Sequence, residues 1–472
     1  MSETNGIAGS KSLSGLKVLI FGAGFGGLAS AIELQVRGAT VKVLELSPDM
    51  RKQGELRCIT TYLSCDVIMM GPNATMIMKK WGQCLPELLK GAAQPRHMVI
   101  ANKEGKVYLR QELELHFDGN PGCYTSRGRT QQIMYDHAKS LGVEVVFDAR
   151  VTDVTETEES ATVTTADGQT YTGDVVIAAD GVHSKARAVV VGVKDRPKKS
   201  GFAVYRSWFD FAALRQNPKT KFLADSEEAL FQMWIDQDKH AIITTNPNLQ
   251  KATCFVTHKD TADIKEDWNL PGDAADMLAM VEGWDSLLTE VIKQVPRDCL
   301  IDYKLLWRDP VRKWVSDHGR VALVGDAAHP HLSTSGTGGA QAIEDAATIA
   351  ALLEKLGKGK AALALRAYEK LRYERTSLTQ RMGFETRHVW YQTDWEAVSK
   401  NPEVLKFPQP AWLNGIDAGD YATRRCEEVV AHLEGGAPFA STNIPDGFVH
   451  EDWTIEEMLA HEGKKGDFYK TR

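Results

Sequence analysis

The chain has 472 residues, 43% of them hydrophobic and 25% charged, the proportions of an ordinary globular protein with core enough for two or three domains. A net charge of −7 gives no reason to expect nucleic acid or an anionic membrane as partner, and no apolar run approaches the ~18 residues of a membrane helix. Seven cysteines without a C-x-x-C pair argue for reduced thiols rather than a disulfide framework, so a soluble cytoplasmic protein is expected.

Residues 1–15 are small and polar and read as a disordered leader, not a signal peptide. Lys17–Phe21 is then short, β-branched and apolar, as a buried parallel strand is. Gly22-x-Gly24-x-x-Gly27 follows at the point where strand must become helix. Gly22 permits the tight turn, Gly24 lets backbone N–H groups approach a pyrophosphate, and Gly27 lets the helix lie close to the strand. The helix, about Gly26 to Val36, offers its first-turn N–H groups and positive end to that diphosphate. A second strand, Thr40–Leu44, ends on Glu45, close to the ~20 residues at which an acid accepts from a ribose 2′-OH. An acid there argues against a 2′-phosphate, leaving FAD or NAD.

Ser47–Met70 has no clear period and carries Arg57. Ala74–Trp81 reads as a helix, Pro95–Leu115 as a hairpin turning at Asn102–Gly105, and Thr125–Leu141 as a helix with Ile133, Met134, His137 and Leu141 on one face. Val143–Phe147 is a strand, 151–166 and 170–173 form a hairpin around Asp167-Gly168, and the strand from Asp174 ends on Asp180-Gly181. Phe202–Phe211, Leu230–Asp236, His240–Asn246 and Ala252–His258 read as a meander, the start of a second domain. Ala274–Val295 is helical and Tyr303–Trp307 a further strand. Helices are expected over Ala361–Trp390 and near Tyr421–Leu433, and Thr454-Ile-Glu-Glu457 is a capping box opening a last one.

Gly319–Leu353 is a second glycine-rich centre of strand, acid, loop and helix. Asp326 beside Gly325 can accept from a polyol. Gly336, Gly338 and Gly339 precede a helix whose N-terminus offers free N–H groups and positive potential. That suits the N1–C2=O edge of a reduced flavin and has no use for a nicotinamide, so FAD is the expected resident. His329 and His331 with Asp326 imitate a metal triad, but nothing nearby supplies the remaining ligands, and no metal is expected.

Three motifs stand in order: Gly22–Glu45, DVVIAADGVHSKAR from Asp174 to Arg187, and RVALVGDAAHPHLSTSGTGGAQAIED from Arg320 to Asp345. Together they resemble the flavoprotein aromatic hydroxylases of the p-hydroxybenzoate and salicylate hydroxylase type, over about residues 16–390. The resemblance implies Asp326 on the ribityl chain of FAD, and Arg127 at the head of a helix touching the flavin, with Gln131 one turn on. It also implies Arg57 reaching the flavin from its loop, and Asp180-Gly181 serving both FAD and the nicotinamide donor. NAD(P)H then visits as co-substrate without a Rossmann domain of its own. O₂ adds at C4a of the reduced ring, and one oxygen passes to an aromatic small molecule. Arg206 is expected to favour the phenolate of such a substrate, with Tyr205 and His331 as further catalytic candidates and Trp208 and Trp234 as an aromatic wall.

The expected fold is α/β: a Rossmann-like FAD-binding domain (16–72, 120–195, 316–360), an antiparallel β-sheet substrate domain (73–119, 196–315) and a helical C-terminal region and tail (361–472). A monomer or homodimer is expected. Ser333 stands where the family usually has proline and Thr337 where glutamine is common, which widens the substrate class to heteroaromatic or polyketide-like compounds. A flavin dehydrogenase and a flavin-fold binding protein are the competing expectations.

Overall fold

The computed structural model describes residues 12–50, 67–192, 197–260 and 270–461. Arg57 lies outside the described residues. The first elements are β1 (Lys17–Phe21), α1 (Phe25–Val36), β2 (Thr40–Leu44), β3 (Val67–Met70), α2 (Pro72–Met78), α3 (Cys84–Lys90), β4 (His97–Asn102) and β5 (Val107–Glu112). A small hairpin, β6 (His116–Phe117) and β7 (Asn120–Pro121), leads to β8 (Cys123–Ser126), α4 (Arg127–Ser140) and β9 (Glu144–Val146). Then come β10 (Val151–Glu156), β11 (Ala161–Thr165), β12 (Thr170–Gly173), β13 (Val175–Ala178) and α5 (Ala186–Val191). The middle of the chain supplies β14 (Lys198–Asp210), α6 (Phe211–Arg215), α7 (Lys221–Asp225), β15 (Phe231–Asp236), β16 (Lys239–Asn246), β17 (Lys251–Lys259), α8 (Ala274–Met280), α9 (Ser286–Gln294) and β18 (Leu300–Trp307). Last are β19 (Val321–Leu323), α10 (Gly338–Leu356), α11 (Ala361–Tyr391), α12 (Trp395–Lys400), α13 (Ala411–Asn414), α14 (Ala418–Gly435) and α15 (Ile455–His461).

A five-stranded sheet in the order β19-β13-β1-β2-β9 is parallel throughout. Its strands are apolar runs because helices and loops cover both faces; Val175–Ala178 is fully buried, and Val18–Phe21 nearly so. Beside it, β10, β11 and β12 form an antiparallel sheet where a two-membered hairpin was expected. The run 151–166 breaks because the Thr157 hydroxyl accepts from the N–H groups of Glu159 and Ser160 and turns the chain.

The second sheet has seven strands in the order β18-β14-β17-β16-β15-β4-β5, antiparallel except for the parallel pair β15 and β4. The expected meander holds for β15, β16 and β17 only. β14 joins on the far side of β17, because α6 and α7 carry the chain across the sheet before β15 begins. Alternation gives this sheet two faces. Tyr205, Phe209, Trp234, Ile243 and Val256 point to one, under α8 and α9; Phe231, Met233 and Ile235 point to the other, toward Trp390 and Tyr391 at the end of α11. The expected helix 274–295 is two helices, since Gly283 takes a left-handed φ of +75° and Asp285 caps a fresh start. Among the described residues, no helix is long and apolar enough to cross a membrane.

Candidate active site

Four motif positions meet at one edge of the parallel sheet. Gly22 follows β1, Glu45 follows β2, Asp180 comes just after β13 and Asp326 just after β19, and parallel strands must place their carboxyl ends together. The chain leaves β1 toward β2 on one side while β13 lies on the other, so the crevice opens where strand order reverses.

The first glycine loop is built for close approach. Gly22 has φ +97°, and a Cβ there would sit 2.2 Å from the Ala179 carbonyl oxygen; one on Gly27 would sit 1.9 Å from that of Gly22. Gly24 faces open space, and α1 begins without a side-chain cap, so its N-terminus is presented outward. The Ala23 peptide is clamped from both sides: its N–H donates to Glu45 Oε2 (2.7 Å), and its carbonyl accepts from Gln131 Nε2 (2.7 Å). Buried Glu45 also accepts from the Ser47 N–H through Oε1 (2.8 Å). The loop thus fits a dinucleotide diphosphate.

Asp326 is exposed, yet crowding by protein raises its carboxyl above the ordinary range, against the pull of Arg127 and then His329. A carboxyl reached by solvent yet surrounded by protein is what the wall of a cleft provides. Arg127, first residue of α4 after its Ser126 cap, is thereby placed near Asp326. This fits the polyol of a flavin nucleotide: an acceptor with a cation beside it. Past Asp326, α10 also begins without a side-chain cap. Gly336 (φ +64°) presses against Phe407, Gly338 against His331, and Gly339 against Ile68 and Phe25, where a Cβ would stand 2.8 Å from Ile68 Cδ1.

Asp180 closes its turn by accepting from the Lys185 N–H (2.7 Å), and Gly181 has φ +74°. Arg187, fully buried, donates to the carbonyls of Ala327 (3.0 Å) and Ala328 (2.8 Å), tying the second motif to the third. His329 is committed to Asp345 (Nε2 to Oδ2, 2.6 Å), and His331 Nε2 to the Thr379 hydroxyl (2.9 Å). Burial drives His331 down to about 3, so it is neutral and packs behind the glycine loop against α11. Among the described residues, no group of three His, Cys, Asp or Glu could hold a metal ion.

Tyr205 and Arg206 are not brought together. Arg206 lies on the face toward α11, buried, its guanidinium 4.9 Å from the centre of the Tyr303 ring. Tyr205 lies on the opposite face, stacked on His258 (4.8 Å), its hydroxyl pushed well up by burial and by Asp302. Trp208 and Trp234 divide the same way, and Trp234 Nε1 donates to Asp285 Oδ2 (2.9 Å), so the expected wall does not form.

An ion-pair network behind the loop 326–339 went unread in the sequence. Asp345 accepts from the Gly325 N–H (2.9 Å), from His329 and from Arg372 Nε (2.9 Å). Glu344 accepts from Asn73 (2.5 Å), from Arg372 and from both Nε (2.8 Å) and Nη2 (2.9 Å) of Arg375. Arg375 goes on to the carbonyls of Trp412 (2.8 Å), Leu413 (2.8 Å) and Asn443 (2.7 Å). Burial alone would raise both carboxyls, but the arginines outweigh it for Glu344 and His329 with Arg372 for Asp345, holding each at about 2. The i, i+3 spacing of Arg372 and Arg375 and the pair Glu344-Asp345 were visible; that the two helices face each other was not.

Residues 15–381 match the family described as FAD binding domain. The FAD-dependent monooxygenase nanF of Aspergillus nanangensis is 32% identical over 451 residues, 93% of this chain and 96% of that protein. The asperlicin C monooxygenase of Petromyces alliaceus is 32% identical over 443 residues, 91% of this chain and 94% of that one. The crystal structure of CtdE in complex with FAD and substrate 4 has a TM-score of 0.81 at 28% identity, covering 89% of this chain and 99% of CtdE. The resemblance carried by the three motifs therefore holds: the chain belongs to the FAD binding domain family and is an FAD-dependent monooxygenase.

Proposed function

We propose that this enzyme inserts one oxygen atom of O₂ into an aromatic or heteroaromatic small molecule, with NAD(P)H as reductant. The convergence of Gly22, Glu45, Asp180 and Asp326 at the carboxyl ends of the parallel strands, with the glycine-led start of α10 packed on Phe25 at the head of α1, is the observation that carries this. A relative named for asperlicin C, and CtdE with FAD and a substrate bound together, support a defined small-molecule substrate.

Bound FAD would supply electron transfer from NAD(P)H and the activation of O₂. Gly22, Gly24 and Gly27 would admit its diphosphate to the α1 N-terminus, and Glu45 would accept from ribose hydroxyls. Asp326 and Arg127 would hold the ribityl chain, Asp180-Gly181 would border it, and the start of α10 would set positive potential against the ring edge that becomes negative on reduction. The seven-stranded sheet would be the substrate domain. On its α11-facing side Arg206 would stabilise a phenolate over the phenol, raising the nucleophilicity of the carbon attacked. The apolar side chains around it would exclude water. Tyr205, on the other face, has no part in this.

Holoprotein incubated with NAD(P)H and a panel of phenols, indoles and polyketide aromatics tests this. Ligand-stimulated oxidation, little peroxide and one ¹⁸O from ¹⁸O₂ in the product are expected. Oxidised product without ¹⁸O would favour a dehydrogenase and overturn the proposal.

A further inference from the structure

We propose that Trp453, on the carboxyl-terminal strap beyond the matched residues 15–381, is a positioning residue that braces the flavin loop and closes the seam between the two sheets. It thereby keeps NAD(P)H oxidation coupled to oxygen insertion. The inference rests on the oxygenation proposed above.

Its basis is one buried apolar cluster fed by four separate segments. Trp307 comes from the end of β18, Leu332 from the flavin loop, Phe384 from α11, and Trp453, Ile455 and Met458 from the strap. Phe384 stacks on Trp307 (5.2 Å, 27°) and takes the Trp453 ring edge-on (5.5 Å, 70°). Trp453 is oriented by donation from Nε1 to the Ser377 hydroxyl (3.0 Å). Asp452 beside it accepts from Arg312 (2.7 Å) and the Tyr373 hydroxyl (2.9 Å), and the Ile455 N–H donates to Asp309 (2.9 Å). The strap is thus pinned on both sides of the tryptophan.

The flavin loop rides on α11 immediately next to Phe384. At Gly383 a Cβ would stand 3.2 Å from the Ser335 nitrogen, and the Gly383 carbonyl accepts from the Thr334 hydroxyl (2.7 Å). Leu332 begins this loop and Gly336–Gly339 end it at α10. Removing the ring would leave a void behind Phe384 and Leu332, and close-packed neighbours relax into such voids only in part. The loop would gain freedom where the flavin edge must be held, and water would gain entry where sheet, loop and helix meet.

Trp453→Ala, Trp453→Leu and Trp453→Phe would be compared with wild type for product and peroxide formed per NAD(P)H, with FAD affinity measured separately by titrating apoprotein. Trp453→Ala is expected to raise the peroxide share on the order of tenfold, below the roughly hundredfold effect that a ~1 Å misplacement remote from the chemistry can have. Trp453→Phe should restore coupling, with FAD affinity little changed in both. Wild-type coupling in Trp453→Ala overturns the proposal, as does a defect confined to FAD occupancy with the bound fraction still coupled. If Trp453→Ala does not fold, Trp453→Leu decides by the same criteria. A wild-type enzyme that yields only peroxide with every substrate tried would overturn the oxygenation reading together with this one.

Discussion

At Asp326 solvent and protein compete for one carboxyl group, and the polyol of a flavin nucleotide would settle the contest by hydrogen bonding to it. Asp326→Ala should weaken FAD binding by about tenfold to a hundredfold, the worth of a charge-assisted hydrogen bond, read from flavin fluorescence on titrating apoprotein. Gly22→Ala acts on the fold itself. Its methyl would overlap the Ala179 carbonyl oxygen at a φ of +97°, so apoprotein stability to urea should fall by more than ~2 kcal/mol. Residues whose chemistry is local were legible: glycines forced by backbone approach, acids at strand ends. Tyr205 and Arg206 were both expected among the catalytic candidates, although neighbours along a strand face opposite ways. What the sequence could not decide was which face looks toward α11, because both faces of this sheet are covered and both read as apolar.

The long helices α1, α4, α10 and α11 and the strands β1, β2 and β15 to β17 were placed well, since their periodicity is strong, whereas the short helices α3, α5, α6 and α7 were not foreseen. Breaks inside apolar or threonine-rich runs were missed at 157–160 and at Gly283, where hydroxyl and glycine chemistry overrides propensity. Between α10 and α11 the ion network makes a pH statement. Glu344 and Asp345 sit at about 2 in the folded protein against ~4 when unfolded, so their stabilisation is complete above pH ~4 and is lost as pH falls toward 2. Urea midpoints measured across that range should fall steeply for wild type and less steeply for Glu344→Gln. The same substitution at neutral pH strands the arginines and should cost about 3–5 kcal/mol, the usual penalty for breaking a buried pair.

In the whole molecule, the candidate cleft gathers residues from three stretches that sequence order keeps far apart: 22–45, 180–187 and 326–339. Their order along the chain was enough to recognise the family, while the sheet order was not, because pairing of β14 with β17 and of β15 with β4 depends on long-range contacts. A ligand that joins three stretches stabilises only the state in which they are assembled. Removing FAD should therefore lower the melting temperature, and restoring it at a hundred times its Kd should return about 2.7 kcal/mol.

Arg375 ties this architecture to the order in which the chain is made. Its guanidinium, fully buried, relies on carbonyls of Trp412, Leu413 and Asn443 as well as on Glu344. A ribosome delivers those carbonyls well after the glycine loops have emerged. The α10–α11 pair behind the 326–339 loop is thus incomplete until residue 443 has left the exit tunnel, and stable flavin loading would wait for that segment. Chains cut before residue 412 should stay colourless in FAD, and the 472-residue chain should turn yellow.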